Sequence, residues 1–370
     1  MSGNAPALSE LCAIAAIAAR RLMGHQWRVW FWGDSIGVEG LLDTSQLLRQ
    51  PEYENFVYGL LKAWIARREP GRPWDYTAPG LGLLRVYDHT SDPSLLTVAK
   101  QHAEYLAGFR QTVEGSYVRY ADVEFDLPPE LPSDHPEAQV GPARSRRLTQ
   151  AGPCIFVDSM HFDAPFYAKL FRTTGNERWR GLAIGNIMPH IRLLFDENRD
   201  LFHHFWIEAR NARNGVLWGR GQGWALLGIA HTLEALDQSD PAVPALVQIL
   251  QRHCNALTKA QDPSGHWHTV VDDPSSYLET SVAAFVVDGF SRAIGRGWIS
   301  SSLKPVADRA LQALIKEIKP DGTLDGVSYE TYPSLSAEHY KKMPRGAMVP
   351  WGQGPLLTAI YSYSELAHSS

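Results

Sequence analysis

Cysteine is scarce. Cys12, Cys154 and Cys254 are the only three in 370 residues, widely spaced and odd in number. That excludes a disulfide framework and a cysteine-built metal centre, and it suits a reducing compartment. Long apolar runs are also missing. The one near the start, Leu11 to Ala19, follows Glu10 and is followed by Arg20 and Arg21. This reverses the charge order of a secretion signal and is too short for a membrane span, so a cytoplasmic protein without a membrane partner is expected. Basic runs are absent and the formal charge is -5, which argues against nucleic acid as a partner. Local Arg and His can still make a negative protein receptive to an acidic small molecule. Alternating strand-like segments are few, with Ser116 to Val123 and Trp267 to Val271 the best candidates.

What the chain has in quantity is helical period. Apolar residues make up 44% and charged residues 20%, enough to build a large core and too few charges for a disordered chain. Leu11, Ile14, Ala18 and Leu22 share a helix face, as do Tyr53, Phe56, Leu60 and Trp64. So do Val157, Met160, Ala164, Ala168 and Phe171; Leu246, Leu250, Cys254 and Leu257; and Ala307, Leu311, Leu314 and Ile318. Between these segments come Asp92-Pro93, Gly175-Asn176 and Asp240-Pro241, turn and cap residues that restart a helix. The repeating unit is a helical hairpin, about five or six of them by ordinary helix and loop lengths. Length alone suggests two domains, but no boundary breaks the pattern, so residues 1–370 are expected to form a single domain. One excursion interrupts it. Residues 127–147 carry five prolines and end in Arg144, Arg146 and Arg147, a composition that excludes helix and favours a lid.

The chemistry-bearing segment is Trp218-Gly-Arg-Gly-Gln-Gly-Trp224. Two indoles and a guanidinium surround three glycines that let backbone approach a ligand. Asp158, in Val-Asp-Ser-Met-His-Phe-Asp-Ala-Pro-Phe, puts a carboxyl group at the start of an apolar helix. Aromatic platforms, a carboxylate-binding Arg220 and a proton-donating Asp158 describe a site for an acidic sugar, hence a sugar-active enzyme. The plainer readings are an N-capping Asp158 and tryptophans that fill the core.

These residues, with Asp75-Tyr-Thr-Ala-Pro-Gly80, Leu201-Phe-His-His204, Tyr277-Leu-Glu-Thr-Ser281 and Trp351-Gly-Gln-Gly-Pro355, stand in the order seen in a known family. The chain resembles the unsaturated uronyl hydrolases of glycoside hydrolase families 88 and 105, most closely the unsaturated rhamnogalacturonyl hydrolases of family 105. The resemblance spans nearly the whole chain and implies an all-α (α/α)6 barrel, six inner helices ringed by six outer ones. It implies removal of the terminal 4,5-unsaturated uronic acid that polysaccharide lyases leave on oligosaccharides. An Asp protonates C4 of the enol ether, water adds at C5, and the hemiketal opens to expel the aglycone, with no metal or organic cofactor.

By that resemblance Asp158 is the general acid and base, which chemistry asks to be protonated when substrate binds, and Asp75 is the second carboxylate. Asp75 can alternatively cap the helix from about Pro79 to Tyr87. His204 is then the cleft histidine that orients water, with His203 the weaker candidate. Arg220 is the substrate arginine, Trp224 the substrate-contacting tryptophan, and Trp218 a second, more structural one. Trp32 falls where the family carries cleft aromatics, and Glu279 to Ser281 joins helices through buried hydrogen bonds. Two departures bear on the aglycone. Phe156 stands where the family commonly has Trp, and Arg146-Arg147-Leu-Thr-Gln150 replaces a Gly-x-x-x-His element, with His135 and Arg147 as possible substitutes from the loop. Two other readings stay open: an inverting (α/α)6 glycosidase acting on a saturated uronide or neutral glycan, and a non-catalytic acidic-glycan-binding protein. Monomer and homodimer are equally compatible with the sequence.

Overall fold

The computed structural model describes residues 6–28, 31–67, 79–119, 153–331 and 333–369. Asp75, the 127–147 excursion, His135 and Arg147 lie outside the described residues.

Helix formation follows the apolar period. The first hairpins are α1 (Leu8–Met23), α2 (Trp32–Leu48), α3 (Pro51–Arg67), α4 (Gly80–Thr90) and α5 (Pro93–Ala107). Strand β1 (Cys154–Phe156) then leads into a single turn, α6 (Ser159–Phe162), followed by α7 (Ala164–Thr174) and α8 (Glu177–Leu194). Short strands β2 (Phe195–Asp196), β3 (Leu201–Phe202), β4 (Phe205–Ile207) and β5 (Ala212–Arg213) precede α9 (Gly219–Ala235) and α10 (Val243–Ala260). The chain ends with β6 (Trp267–His268), β7 (Leu278–Glu279), α11 (Thr280–Gly295), α12 (Lys304–Lys316), the short α13 (Ala337–Lys341) and α14 (Pro350–Ser369).

The expected punctuation works locally. Asp92 caps α5 by accepting from the Ser94 amide, and Gly175 takes the left-handed conformation that ends α7. Asn176 then caps α8 through the Arg178 amide. Helix α10 buries Leu246, Leu250, Cys254 and Leu257, the face read from the sequence, each large side chain contributing about 1.5–3 kcal/mol. Helix α3 is rotated from the expected phase. It buries Tyr53, Val57, Leu61 and Trp64, leaving Phe56 and Leu60 on the shoulders of the contact. The Val157–Phe171 segment is no continuous helix, because Asp163 ends α6 and restarts the chain as α7. Ile318 falls past the end of α12 and bridges to Leu324 instead. Of the strand candidates, Trp267 and His268 pair with β7, while Tyr117 and Arg119 make isolated bridges.

Helices α2, α4, α7, α9, α11 and α14 pack side by side in a ring, and α14 returns to close on α2. Helices α1, α3, α5, α8, α10 and α12 lie outside, each against an inner partner. This is the expected helical barrel. Closure depends on small residues: a Cβ on Gly40 of α2 would sit 2.7 Å from the Gly354 carbonyl oxygen of α14.

Because every inner helix returns through an outer one, the inner helices run parallel. Their N-termini meet at one end, where Trp32, Trp224 and Trp351 touch. Their C-terminal halves meet at the other, where Arg85 and Arg292 pair with Asp43, Glu234 and Asp288. Cations there complement the negative ends of the helix dipoles, and the opposite mouth collects the positive ends. Among the described residues no helix is long and apolar enough to cross a membrane.

Candidate active site

Strand pairing creates the central contact. Strand β1 runs antiparallel to β4 with Phe156 opposite Phe205, and the Val157 amide donates to the His204 carbonyl at 2.9 Å. The next residue, Asp158, therefore faces the His204 ring, with Oδ2 and Nε2 3.5 Å apart. Asp158 is a helix-start residue, yet its side chain makes no capping hydrogen bond. Its Oδ2 is buried without a hydrogen-bond partner. A capping role leaves an oxygen bonded to backbone amides; this one is held free beside an imidazole. Within the same motif, Asp163 is engaged by the buried Arg119 at 2.5 Å, and burial pushes its carboxyl up to about 6.

His204 is buried and fixed by Tyr340, whose hydroxyl lies 2.6 Å from Nδ1. The Ser334 amide at 3.2 Å and the Asn214 side-chain amide at 3.4 Å donate to the same phenol oxygen. The phenol proton has two acceptors in reach, His204 Nδ1 at 2.6 Å and the Ser334 carbonyl at 3.3 Å; the shorter contact favours Nδ1, which puts the His204 proton on Nε2, facing Asp158. Trp218 covers the imidazole at 4.4 Å between ring centroids. Gln222, one turn into α9, locks this region by bonding both backbone groups of Phe202. His203 turns the other way, to Asp196 at 3.3 Å, and burial pushes its pKa down.

Arg220, expected to be the substrate arginine, spends its guanidinium on neighbouring segments of the protein. It is fully buried. Nη1 reaches Glu279 Oε1 at 3.4 Å and Ser328 Oγ at 2.8 Å, and Nη2 reaches the Tyr329 carbonyl and Thr331 Oγ1, each at 2.9 Å. Neither fork nitrogen is left for a carboxylate ligand. Burial pulls its pKa down and the Glu279 charge opposes that fall. Glu279 caps α11 through the Val282 amide and also accepts from Ser281 Oγ and the Ser328 amide. The two residues knit α9, α11 and the 328–331 segment together.

The tryptophans divide similarly. Trp224 is wholly buried, enclosed by Trp32, His161, Phe162 and Phe285. Trp218 lies between His204 and the Arg220 guanidinium, 4.8 Å from its ring centroid. Both are buried by these neighbours. Trp32 is only partly buried and sits 5.1 Å from Trp351, ring to ring, which leaves it the more open aromatic. Phe156 stacks on Phe205 and meets His204 edge-on. Tyr340 was not legible in the sequence: it is 136 residues from His204, on a short helix with no motif. Trp351 lay within a recognised motif but without a role. Beneath the aromatic layer Glu39, His161 and His231 present ligand atoms within 4.8 Å of one another.

Residues 16–367 match the family described as Glycosyl Hydrolase Family 88. The unsaturated rhamnogalacturonyl hydrolase YesR of Bacillus subtilis is 27% identical over 341 residues, covering 90% of this chain and 88% of that protein. An unsaturated 3S-rhamnoglycuronyl hydrolase of Alteromonas is 22% identical, covering 71% of this chain and 72% of that one. Among solved structures, a possible GH105 member from Salmonella enterica superposes with a TM-score of 0.85 at 22% identity, covering 100% of this chain and 96% of the other. The unsaturated glucuronyl hydrolase of Bacillus sp. GL1 superposes at 0.71 with 17% identity, with 96% of each chain covered. The family match spans nearly the entire sequence, and the chain belongs to glycosyl hydrolase family 88.

Proposed function

We propose that this chain, residues 1–370 acting as one cytoplasmic catalytic domain, removes a terminal 4,5-unsaturated uronic acid from lyase-generated oligosaccharides. Family membership and the names of the two curated relatives support the reaction class. The observation that carries it to named atoms is the unpartnered Asp158 Oδ2 beside His204. Asp158 delivers its proton to C4 of the enol ether. Water adds at C5, guided by His204 Nε2, and a proton from that water restores Asp158. The C5 hemiketal then opens, and the aglycone leaves as its free sugar. Asp75 serves as the second carboxylate.

The convergent N-termini of the inner helices give the mouth a positive field despite the negative overall charge, which suits a uronate. Trp32 supplies the open stacking face and Phe156 the wall beside His204, with Trp224 and Trp218 supporting them from below. Arg220 holds the frame that positions these groups. Tyr340 sets the His204 tautomer.

The test is the ultraviolet absorbance of the enol-ether uronate while the enzyme acts on disaccharides released by pectin and glycosaminoglycan lyases. Absorbance falls with wild-type enzyme. It falls at least about 10²–10⁴ times more slowly with Asp158→Asn, the range expected for losing a general acid, while circular dichroism stays unchanged. A flat wild-type trace on every unsaturated substrate defeats the reading.

A further inference from the structure

Behind the reaction centre the inner ring holds a group of residues that the chemistry above does not use. Glu39 lies on α2, His161 on α6 and His231 near the end of α9. Each offers one ligand atom, and these atoms lie within 4.8 Å of one another. His161 is completely buried and Glu39 nearly so. His161 Nδ1 and His231 Nε2 are both buried without any hydrogen-bond partner. Buried imidazole nitrogens are ordinarily bonded, so the orphaned His231 Nε2 calls for a missing partner; His161 already meets Glu39 through Nε2, which makes that nitrogen, and not the orphaned Nδ1, its donor to a shared ion.

Distance bears on what that partner is. His161 Nε2 and Glu39 Oε1 are 3.3 Å apart. A buried charge-assisted hydrogen bond is usually shorter, about 2.7–2.9 Å. Two ligands on a tetrahedral ion with bonds near 2.0–2.1 Å sit about 3.3 Å apart. Around the group stand the guanidiniums of Arg85 and Arg292, paired with Asp43, Glu234 and Asp288. Asp88, Lys169, Arg172 and Arg296 stand at the same end, so carboxylates and cations balance there, five against five. A cavity of about 390 Å³ at the C-terminal end of the inner helices is lined by Glu39 and His231 together with Arg85, Lys169, Arg172, Arg292 and Arg296, and it opens onto the group.

We propose that Glu39, His161 and His231 bind one divalent transition-metal ion, zinc by their two-nitrogen, one-oxygen chemistry, at the end of the barrel where the C-terminal halves of the inner helices meet. The ion ties α2, α6 and α9 together. Since α6 begins directly after Asp158 and carries His161 on the same turn, the metal anchors the catalytic loop from below. It takes no part in the reaction and leaves a ligand position open toward the cavity for water. The donors come from three separate elements, which is why no sequence spacing announces them.

The experiment uses full-length, tag-free protein freed of metal by chelation. Zinc binding is followed by calorimetry and elemental analysis, and cobalt binding by its visible d–d absorption. The wild type takes up one zinc per chain, unfolds at higher temperature with zinc, and gives a cobalt spectrum of low coordination number. His231→Gln and Glu39→Gln each weaken zinc binding beyond the 10–100-fold that loss of a mere outer-sphere partner costs. Histidine-ring NMR of the wild type, which needs no variant to fold, shows two imidazoles shifting on zinc addition. Lack of uptake by the wild type, unshifted imidazoles, or undiminished binding in both variants overturns the proposal.

Discussion

Replacing Arg220 by methionine separates a structural from a substrate-binding arginine. Both Arg220 and Glu279 are fully buried, so the substitution leaves a carboxylate inside the barrel without its cation, a change that ordinarily costs about 3–5 kcal/mol. Glu279 retains the Ser281 hydroxyl and the Val282 and Ser328 amides, which favours the lower end. The Tyr329 carbonyl and Thr331 hydroxyl lose their donor, which pushes the other way. With unfolding entropy near 2.1 cal/mol/K per residue, a cooperative 370-residue unit loses about 1.3 °C per kcal/mol. The melting temperature therefore drops by about 4–6 °C, read by scanning calorimetry. Combining Arg220→Met with Glu279→Gln removes both charges, and the double variant is more stable than the summed single losses by about 1–3 kcal/mol. A single variant melting within about 1 °C of wild type, with KM raised and kcat intact, refutes the assignment and returns Arg220 to the substrate.

Three further outcomes are expected. Tyr340→Phe frees the His204 tautomer and lowers kcat by about 10-fold or more with a shifted pH profile, as loss of an orienting partner does; an unchanged profile removes Tyr340 from the site. Gly40→Ala drives a methyl into the backbone of Gly354 and costs about 1–3 kcal/mol in urea unfolding, whereas Gly59→Ala, with open space around its Cβ, gains about 0.4–1 kcal/mol. Burial pushes His102 and His190 down to about 4, so between about pH 6.5 and 4 the unfolded chain binds protons that the folded one refuses, and stability falls as pH falls. Asp163, raised to about 6, opposes part of that fall. His190→Gln removes about 1.4 kcal/mol per pH unit from the acid slope within the window, measured by urea unfolding at several pH values.

Repetition of amphipathic helices with capped turns was enough to reach a chain of helical hairpins, because helix period and capping are local properties that survive without knowledge of neighbours; the barrel itself came from the resemblance of the motifs to a known family. Leu246, Leu250, Cys254 and Leu257 form the buried face of α10 as their spacing requires. Helix α3 shows the limit: a wide apolar stripe does not say which of its edges meets the core, and packing against α2 and α4 chose Val57 and Leu61 over Phe56 and Leu60. The same holds at the site. Composition made Trp224 and Arg220 look like ligand-binding groups, yet neither residue type reveals burial, and the closed ring of inner helices took both into the interior.

By itself, then, the sequence determined the helical hairpins and the motif that holds Asp158, since these rest on local period and on residues close in the chain, and the order of its motifs pointed, by resemblance to a family, to the barrel and the reaction class. Tertiary structure decided which groups meet: His204 beside Asp158 through the β1–β4 register, Tyr340 behind His204, and Glu39, His161 and His231 around one point. Each of those meetings joins residues far apart in the chain. Only barrel closure, by fixing the relative phase of separate helices, brings them within bonding distance.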